Sequence, residues 1–254
     1  SAFVAGAGGE NGAKPVSFEY FVSPVGTTNA AFTAAEPGAW DSLPAALKTA
    51  REKCKKDKTP IAGETVVFAK GEYKGLSLAL SGAGENIPFI LKGADGKAKN
   101  VIFDGTDAKG RAFTFSASFT RAAVLDITFR NYSSTNESAV VALAGNTDKR
   151  TSVAFSNCVF RANRTTARGG VGGLGCAFVG CLFEDNVAGT SAATILGRQW
   201  GDPRTRAENC VFRGNAAPDY ELTYDTYNEN GNADNTTFGA HIVMKDCTVE
   251  SWSR

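Results

Sequence analysis

The hydrophobic positions of this chain follow two different periods along its length. Between Leu43 and Cys54, apolar residues recur three and four positions apart, which predicts an amphipathic helix at about residues 42–56. From Thr65 onward, short hydrophobic runs are bounded by Gly, Asp, Asn or Lys, which predicts short strands joined by tight turns. No second helical pattern of similar quality follows, so the alternation of helix and strand that builds a doubly wound sheet is absent. The early strands are expected at residues 66–68, 89–91, 101–103 and 124–129.

A repeated motif gives the strongest signal for the fold. Three full copies, each starting with Cys, carrying Phe at the third position and ending with Asn, occupy residues 158–163, 181–186 and 210–215. Weaker copies occupy residues 127–131 and 247–249. Residues two apart in a strand share a face, so Cys and Phe point to the same side. If the copies stack at the usual spacing of about 4.8 Å, the Phe side chains form an internal column. The four Phe residues expected in this column are Phe129, Phe160, Phe183 and Phe212.

The Asn of each copy falls where the strand must turn. Asn tolerates a left-handed backbone and can hydrogen-bond neighbouring backbone groups through its side-chain amide. Stacked Asn residues would therefore satisfy buried turn amides from one copy to the next, and Asn131 and Asn163 both fit this series.

These patterns predict an all-β fold, a right-handed parallel β-helix with an N-terminal amphipathic capping helix. Residues 1–16 are small and Gly-rich and are expected to form an arm, and residues 17–254 a single β-helix domain. A short strand is expected within residues 17–25, ended by Pro24. The helix would cover the first strand edge, which is otherwise open to polymerisation.

Two known groups are similar to this sequence. The Phe-x-x-Asn repeats, with Gly169-Gly170-Val171 after one of them, resemble the repeats of the chlamydial polymorphic outer-membrane proteins. The wider pattern resembles the pectate-lyase-like superfamily, in residues 20–24, the helix and residues 66–73. The first resemblance implies adhesion and surface display. The second also implies polysaccharide lyases, hydrolases and epimerases.

Composition narrows the classes of function. The chain has 27 Lys and Arg against 26 Asp and Glu, which argues against a nucleic-acid partner because neutralising phosphates needs a basic excess. No apolar run approaches the roughly 20 residues that a membrane-spanning helix needs. The chain begins Ser1-Ala2-Phe3, which is expected of a mature end after removal of a signal peptide. We therefore expect a secreted protein, extracellular or at a cell surface.

The positions of the six cysteines allow two interpretations. Four of them share the first position of the repeat, which favours a stack of small buried side chains. Disulfides are the alternative, and export would favour them.

Two irregular segments, residues 198–206 and 216–239, carry the candidate binding residues. Arg side chains can neutralise a uronic acid, and aromatic rings can stack on sugars. Carboxylates can bind calcium, the one cofactor considered, although none is required. Both segments also fit solvated surface loops. The candidate glycan-binding residues are Arg198, Trp200, Arg204, Arg206, Tyr220 and Tyr224, and the candidate metal ligands are Asp219, Glu221 and Asp225.

Two functions follow from the sequence. The first is a non-catalytic structural or adhesive protein that self-associates through its arm, with a filament as the expected assembly. The only sizeable anchors of the arm are Phe3 and Val4. The alternative is a polysaccharide lyase or related carbohydrate-active enzyme acting on an acidic glycan. No acid and base pair stands at a persuasive spacing, so the catalytic residues are unknown and the sequence favours the first function.

Overall fold

The computed structural model describes residues 13–84, 86–116, 121–144, 153–172, 175–190, 194–196, 205–217, 242–250 and 252–253. This part contains the α-helix α1 (Leu43–Lys56) and two 3₁₀ helices (Trp40–Ser42 and Ala98–Asn100). The strands are β1 (Val16–Thr27), β2 (Ile61–Phe68), β3 (Gly71–Lys74), β4 (Leu78–Leu80), β5 (Phe89–Gly93), β6 (Val101–Asp104), β7 (Phe113–Ser116), β8 (Ala122–Leu125), β9 (Thr128–Arg130), β10 (Ser133–Ser134), β11 (Val141–Ala144), β12 (Val153–Ser156), β13 (Val159–Arg161), β14 (Arg164–Thr165), β15 (Ala177–Val179), β16 (Leu182–Glu184), β17 (Val187–Ala188), β18 (Thr205–Glu208), β19 (Val211–Arg213), β20 (Asn215–Ala216), β21 (Ile242–Lys245), β22 (Thr248–Val249) and β23 (Trp252–Ser253).

The strands form four parallel sheets. Sheet A has the order β1-β2-β5-β8-β12-β15-β18-β21, and sheet B the order β3-β6-β9-β13-β16-β19-β22. Sheet C is β4-β7-β11, and sheet D is β10-β14-β17-β20-β23. From β2 onward, each repeat of the chain adds one strand to sheet A, one to sheet B, and then strands to sheet C, to sheet D or to both, before the chain returns to sheet A. The described part of the chain is therefore mostly β, with parallel sheets and one N-terminal α-helix, as the sequence predicts at this level.

In each later repeat, two residues separate the sheet A strand from the sheet B strand, and the first of them is left-handed. Asp126 has a φ of 60°, and Asn157, Gly180 and Asn209 occupy the same position in the following repeats. The prediction of one strand across residues 124–129 is wrong for this reason, because Asp126 ends β8 and turns the chain into β9. Asp, Asn and Gly are the residues that adopt this conformation most easily.

The predicted column of phenylalanines is confirmed. Register pairs each Phe with the next along sheet B, and all four side chains are fully buried. The rings of Phe160 and Phe183 stack with centroids 5.0 Å apart, and those of Phe183 and Phe212 with centroids 4.7 Å apart. Tyr73 and Phe103 extend the same column toward the N terminus.

The Asn series is also present, with two corrections. Asn163, Asn186 and Asn215 are fully buried, and the Nδ2 of each donates to a backbone carbonyl of the preceding repeat. Asn131 does not belong to the series, because Tyr132 occupies the equivalent place and its N–H donates to Asn163 Oδ1. The left-handed residue is not the Asn either but the one before it, such as Ala162, since the backbone must turn before the amide can point inward.

All six cysteines are free thiols. Of the four at the first position of the repeat, three are buried, as the first interpretation of the sequence predicts. Five of the six are buried, and Cys247 is partly exposed.

Helix α1 packs its apolar stripe against the sheets. Leu43 and Leu47 join the main core, while Cys54 is buried further along the helix. The Arg51 guanidinium donates to both oxygens of the buried Glu64 of β2, at 2.8 and 2.6 Å. The helix also contacts β4, the terminal strand of sheet C.

Strand β1 is longer than predicted. It begins at Val16, inside the segment expected to be an arm, and it continues through Pro24 to Thr27. Proline is tolerated here because the register of β1 with β2 ends at Val22, so the missing N–H of Pro24 costs no hydrogen bond to β2.

Candidate functional site

The first feature of the candidate site is a pair of corners that join sheet B to sheet C. Residues 75–77 connect β3 to β4, and the longer segment 105–112 connects β6 to β7. Gly75 has a φ of +66°, which an L side chain would strain, and its N–H donates to the carbonyl of Asp104 at 2.8 Å. The buried hydroxyl of Tyr132 donates to the carbonyl of Leu76 at 2.8 Å. The first bond joins the two corners, and the second ties the first corner to the segment that follows β9.

A surface groove of about 490 Å³ lies along these corners. The two corners form two of its walls, and Trp40, from the 3₁₀ helix before α1, forms the third. The Trp40 side chain is partly buried against the main core. The groove therefore combines three segments that are distant in the sequence. Its lining residues are Trp40, Lys74, Gly75, Ser77, Thr106, Asp107 and Lys109.

The groove carries two lysines and one aspartate, Asp107, and therefore a net positive charge beside an aromatic ring. The Lys74 ammonium lies 3.9 Å from a Glu72 oxygen, but its side chain is 79% exposed, so solvent screens this pair. Lys109 is exposed and forms no ion pair with any residue that the structure describes. Both lysines can therefore reach an anionic ligand, while the indole of Trp40 can stack on a sugar ring. The hydroxyls of Ser77 and Thr106 add hydrogen-bonding groups.

An ion-pair network anchors one side of the groove. Arg130 donates to Asp104 Oδ2 at 2.8 Å and to Glu72 Oε2 at 2.9 Å. Asp104 also accepts from the backbone N–H of Thr106 at 2.9 Å, which fixes the start of the second corner. Burial alone would raise the pKa of Asp104, but hydrogen bonds from Thr106, Arg130 and Asn131 outweigh it and lower the pKa to about 2. Asp104 is therefore a carboxylate at neutral pH and acts as an anchor for the groove.

Of the predicted glycan-binding residues, only Arg206 lies in the described part of the chain. It is exposed on β18 of sheet A, where it pairs in register with Ala177 and Val243. The groove is bounded by strands of sheets B and C in the first repeats, so the structure does not bring Arg206 into it. The other predicted residues lie outside the described residues, namely Arg198, Trp200, Arg204, Tyr220 and Tyr224.

The other predicted sites also fall outside the described residues. This holds for the candidate metal ligands Asp219, Glu221 and Asp225, and for the arm anchors Phe3 and Val4. Calcium binding and self-association through the arm therefore stay predictions. Within the described residues, no group of three or more His, Cys, Asp or Glu side chains could hold a metal ion. The same part of the chain has no helix of the length and apolar character needed to cross a membrane.

The sequence did contain a signal for the groove. A Lys-Gly pair precedes the alternating apolar residues of β4, as Lys74-Gly75, and recurs before β7 as Lys109-Gly110. Register aligns these strands through Leu78 and Phe113. Trp40 had no comparable signal, because its place depends on where the segment before α1 packs.

In comparisons with known proteins, no family model, curated protein or solved structure matches the chain.

Proposed function

We propose that the chain folds as a right-handed parallel β-helix whose N-terminal end is covered by α1. The sheet orders support this, because each repeat adds one parallel strand to sheets A and B. Parallel crossovers are right-handed in almost all proteins, which supports the handedness. The contact of α1 with the terminal strand β4 supports the covering role.

On this fold, the protein is an extracellular, non-catalytic structural or adhesive protein that binds an acidic polysaccharide. The observation that carries the proposal is the groove that combines the Trp40 ring with the two exposed lysines, Lys74 and Lys109. An adhesive site needs a fixed surface, and the stacked core beneath these corners supplies one. The acidic glycan is favoured over a neutral one because each lysine can pair with a sugar carboxylate or sulfate.

A polysaccharide lyase is the second candidate function. The observation that favours it is the same pair of lysines, because a lyase must neutralise a uronic acid carboxylate and remove the adjacent proton. The two functions differ in whether bound glycan is cleaved.

Binding to an oligogalacturonate tests the proposal. We expect measurable affinity by isothermal titration calorimetry at low salt, weakened by added salt because the lysine contacts are electrostatic. Trp40→Ala should weaken binding at least tenfold through loss of stacking, and the double variant Lys74→Ala/Lys109→Ala at least tenfold through loss of charge.

Matched controls separate the groove from net charge. The double variant Lys53→Ala/Lys55→Ala removes the same charge from the exposed face of α1 and should bind like the wild type. A neutral malto-oligosaccharide should bind poorly. Equal binding by all variants would contradict the proposed groove. Steady release of unsaturated products would contradict a purely adhesive function and support the polysaccharide lyase.

The covering role of α1 makes a separate prediction. Leu47→Ala should lower the free energy of unfolding by about 2 kcal/mol, because Leu47 is buried in the core at the helix interface. The loosened helix should also expose the terminal strand and increase aggregation, measured by light scattering after size-exclusion chromatography. Lys48→Ala, on the exposed side of the helix, should change neither quantity noticeably. A destabilised variant that stays monomeric would argue that α1 packs on the sheets without protecting their edge.

A further inference from the structure

Four cysteines form a continuous column along one edge of sheet B. Cys158, Cys181, Cys210 and Cys247 immediately precede β13, β16, β19 and β22. Register pairs the residue after each cysteine with its equivalent in the next strand, so neighbouring cysteines lie side by side. Adjacent strands are about 4.8 Å apart, which falls within the Cα separation that a disulfide spans.

The thiols of this column all point the same way. Each Sγ donates to a carbonyl of sheet A one repeat earlier, Cys181 to Phe155 at 3.5 Å and Cys210 to Phe178 at 3.5 Å. Cys247 repeats the contact with Ala207 at 3.4 Å. The sulfur atoms therefore follow one another along the stack, with nothing in the register to separate them.

Within the part of the chain that the structure describes, only one end of the column is open to solvent. Cys158, Cys181 and Cys210 are buried, whereas Cys247 is partly exposed. Cys247 also precedes β22, the outermost strand of sheet B in the described chain. A strand with a neighbour on one side can move toward that neighbour more easily than a strand held on both sides. Cys247 is therefore the thiol that a reagent meets first, and its neighbour is Cys210.

We propose that Cys210 and Cys247 form a disulfide when a small-molecule disulfide, such as oxidised glutathione, is present. Cys247 loses its proton, and its sulfur attacks one sulfur of the reagent, whose S–S bond breaks and releases one thiolate. Cys210 then loses its proton and attacks the Cys247 sulfur of the mixed disulfide, which releases the second thiolate. The two protein thiols are oxidised by two electrons, and the reagent disulfide is reduced to two thiols.

Formation of the disulfide is expected to be slow and to give one product, the crosslink between Cys210 and Cys247. Burial raises the pKa of Cys247, so the attacking thiolate is scarce at neutral pH. The product links the last two described strands of sheet B and closes the chain between them, which constrains the unfolded state.

Oxidation of the wild-type protein with oxidised glutathione tests the proposal. After alkylation of remaining thiols, non-reducing peptide mapping should identify one crosslink, between Cys210 and Cys247. The oxidised protein should melt at a higher temperature than the reduced protein. Cys247→Ser should abolish both effects, whereas Cys54→Ser, which removes a buried thiol outside the column, should retain them.

Three results would overturn the proposal. They are free thiols throughout after prolonged oxidation, a mixed disulfide at Cys247 that does not proceed further, and a crosslink between any other pair. The wild-type peptide map decides among these, so the outcome does not depend on whether Cys247→Ser folds.

Discussion

Replacing Phe183 with alanine is expected to lower the free energy of unfolding by about 3–5 kcal/mol. The side chain is fully buried between two stacked neighbours, with ring centroids 5.0 Å from Phe160 and 4.7 Å from Phe212. Its removal loses the burial of the ring and leaves a cavity that the two flanking rings cannot fill, because each is fixed by its own strand. Urea unfolding followed by circular dichroism measures the loss.

Leu182 supplies the control for this variant. It lies on the same strand but faces outward and is only partly buried. Leu182→Ala should therefore cost about 1 kcal/mol or less. A loss below 1 kcal/mol for Phe183→Ala, or equal losses for the two variants, would contradict the column.

Replacing Asn186 with leucine is expected to cost about 3 kcal/mol, although the two side chains are similar in size. Asn186 Oδ1 accepts from the backbone N–H of Asn163 at 3.1 Å and from its Nδ2 at 2.9 Å. Asn186 Nδ2 donates to the carbonyl of Phe160 and to Asn215 Oδ1. Leucine removes all four bonds and leaves buried polar groups without partners, each of which costs about 1–3 kcal/mol.

An exposed asparagine tests whether burial is the cause. Asn209 has a φ of 52° at an exposed corner, a conformation that glycine adopts freely. Asn209→Gly should therefore change the free energy of unfolding by no more than about 0.5 kcal/mol in the same urea experiment. A small loss for Asn186→Leu would mean that water replaces the missing bonds.

Local sequence patterns were sufficient to predict the elements whose signal lies within a few consecutive residues. The helix at residues 42–56 was predictable because helical periodicity needs only neighbouring residues, and the structure begins it at Leu43. The buried Phe of each repeat was predictable because alternation decides which face of a strand is apolar. Tyr73 and Phe103 were missed because their repeats carry neither the Cys nor the Asn of the motif.

Other features depend on contacts between repeats, and these could be identified only from the folded structure. The left-handed residue before each Asn of the series is Ala162, Asp185 and Gly214 in turn. No single residue type therefore identifies this position in the sequence. Asn131 resembles the residues of the Asn series in its sequence context, but its side-chain amide donates to Asp104 instead. The groove needs Trp40 beside two corners from different repeats, and that meeting depends on strand register and helix packing. Such contacts join residues far apart in the chain, and local hydrophobic patterns carry no information about them.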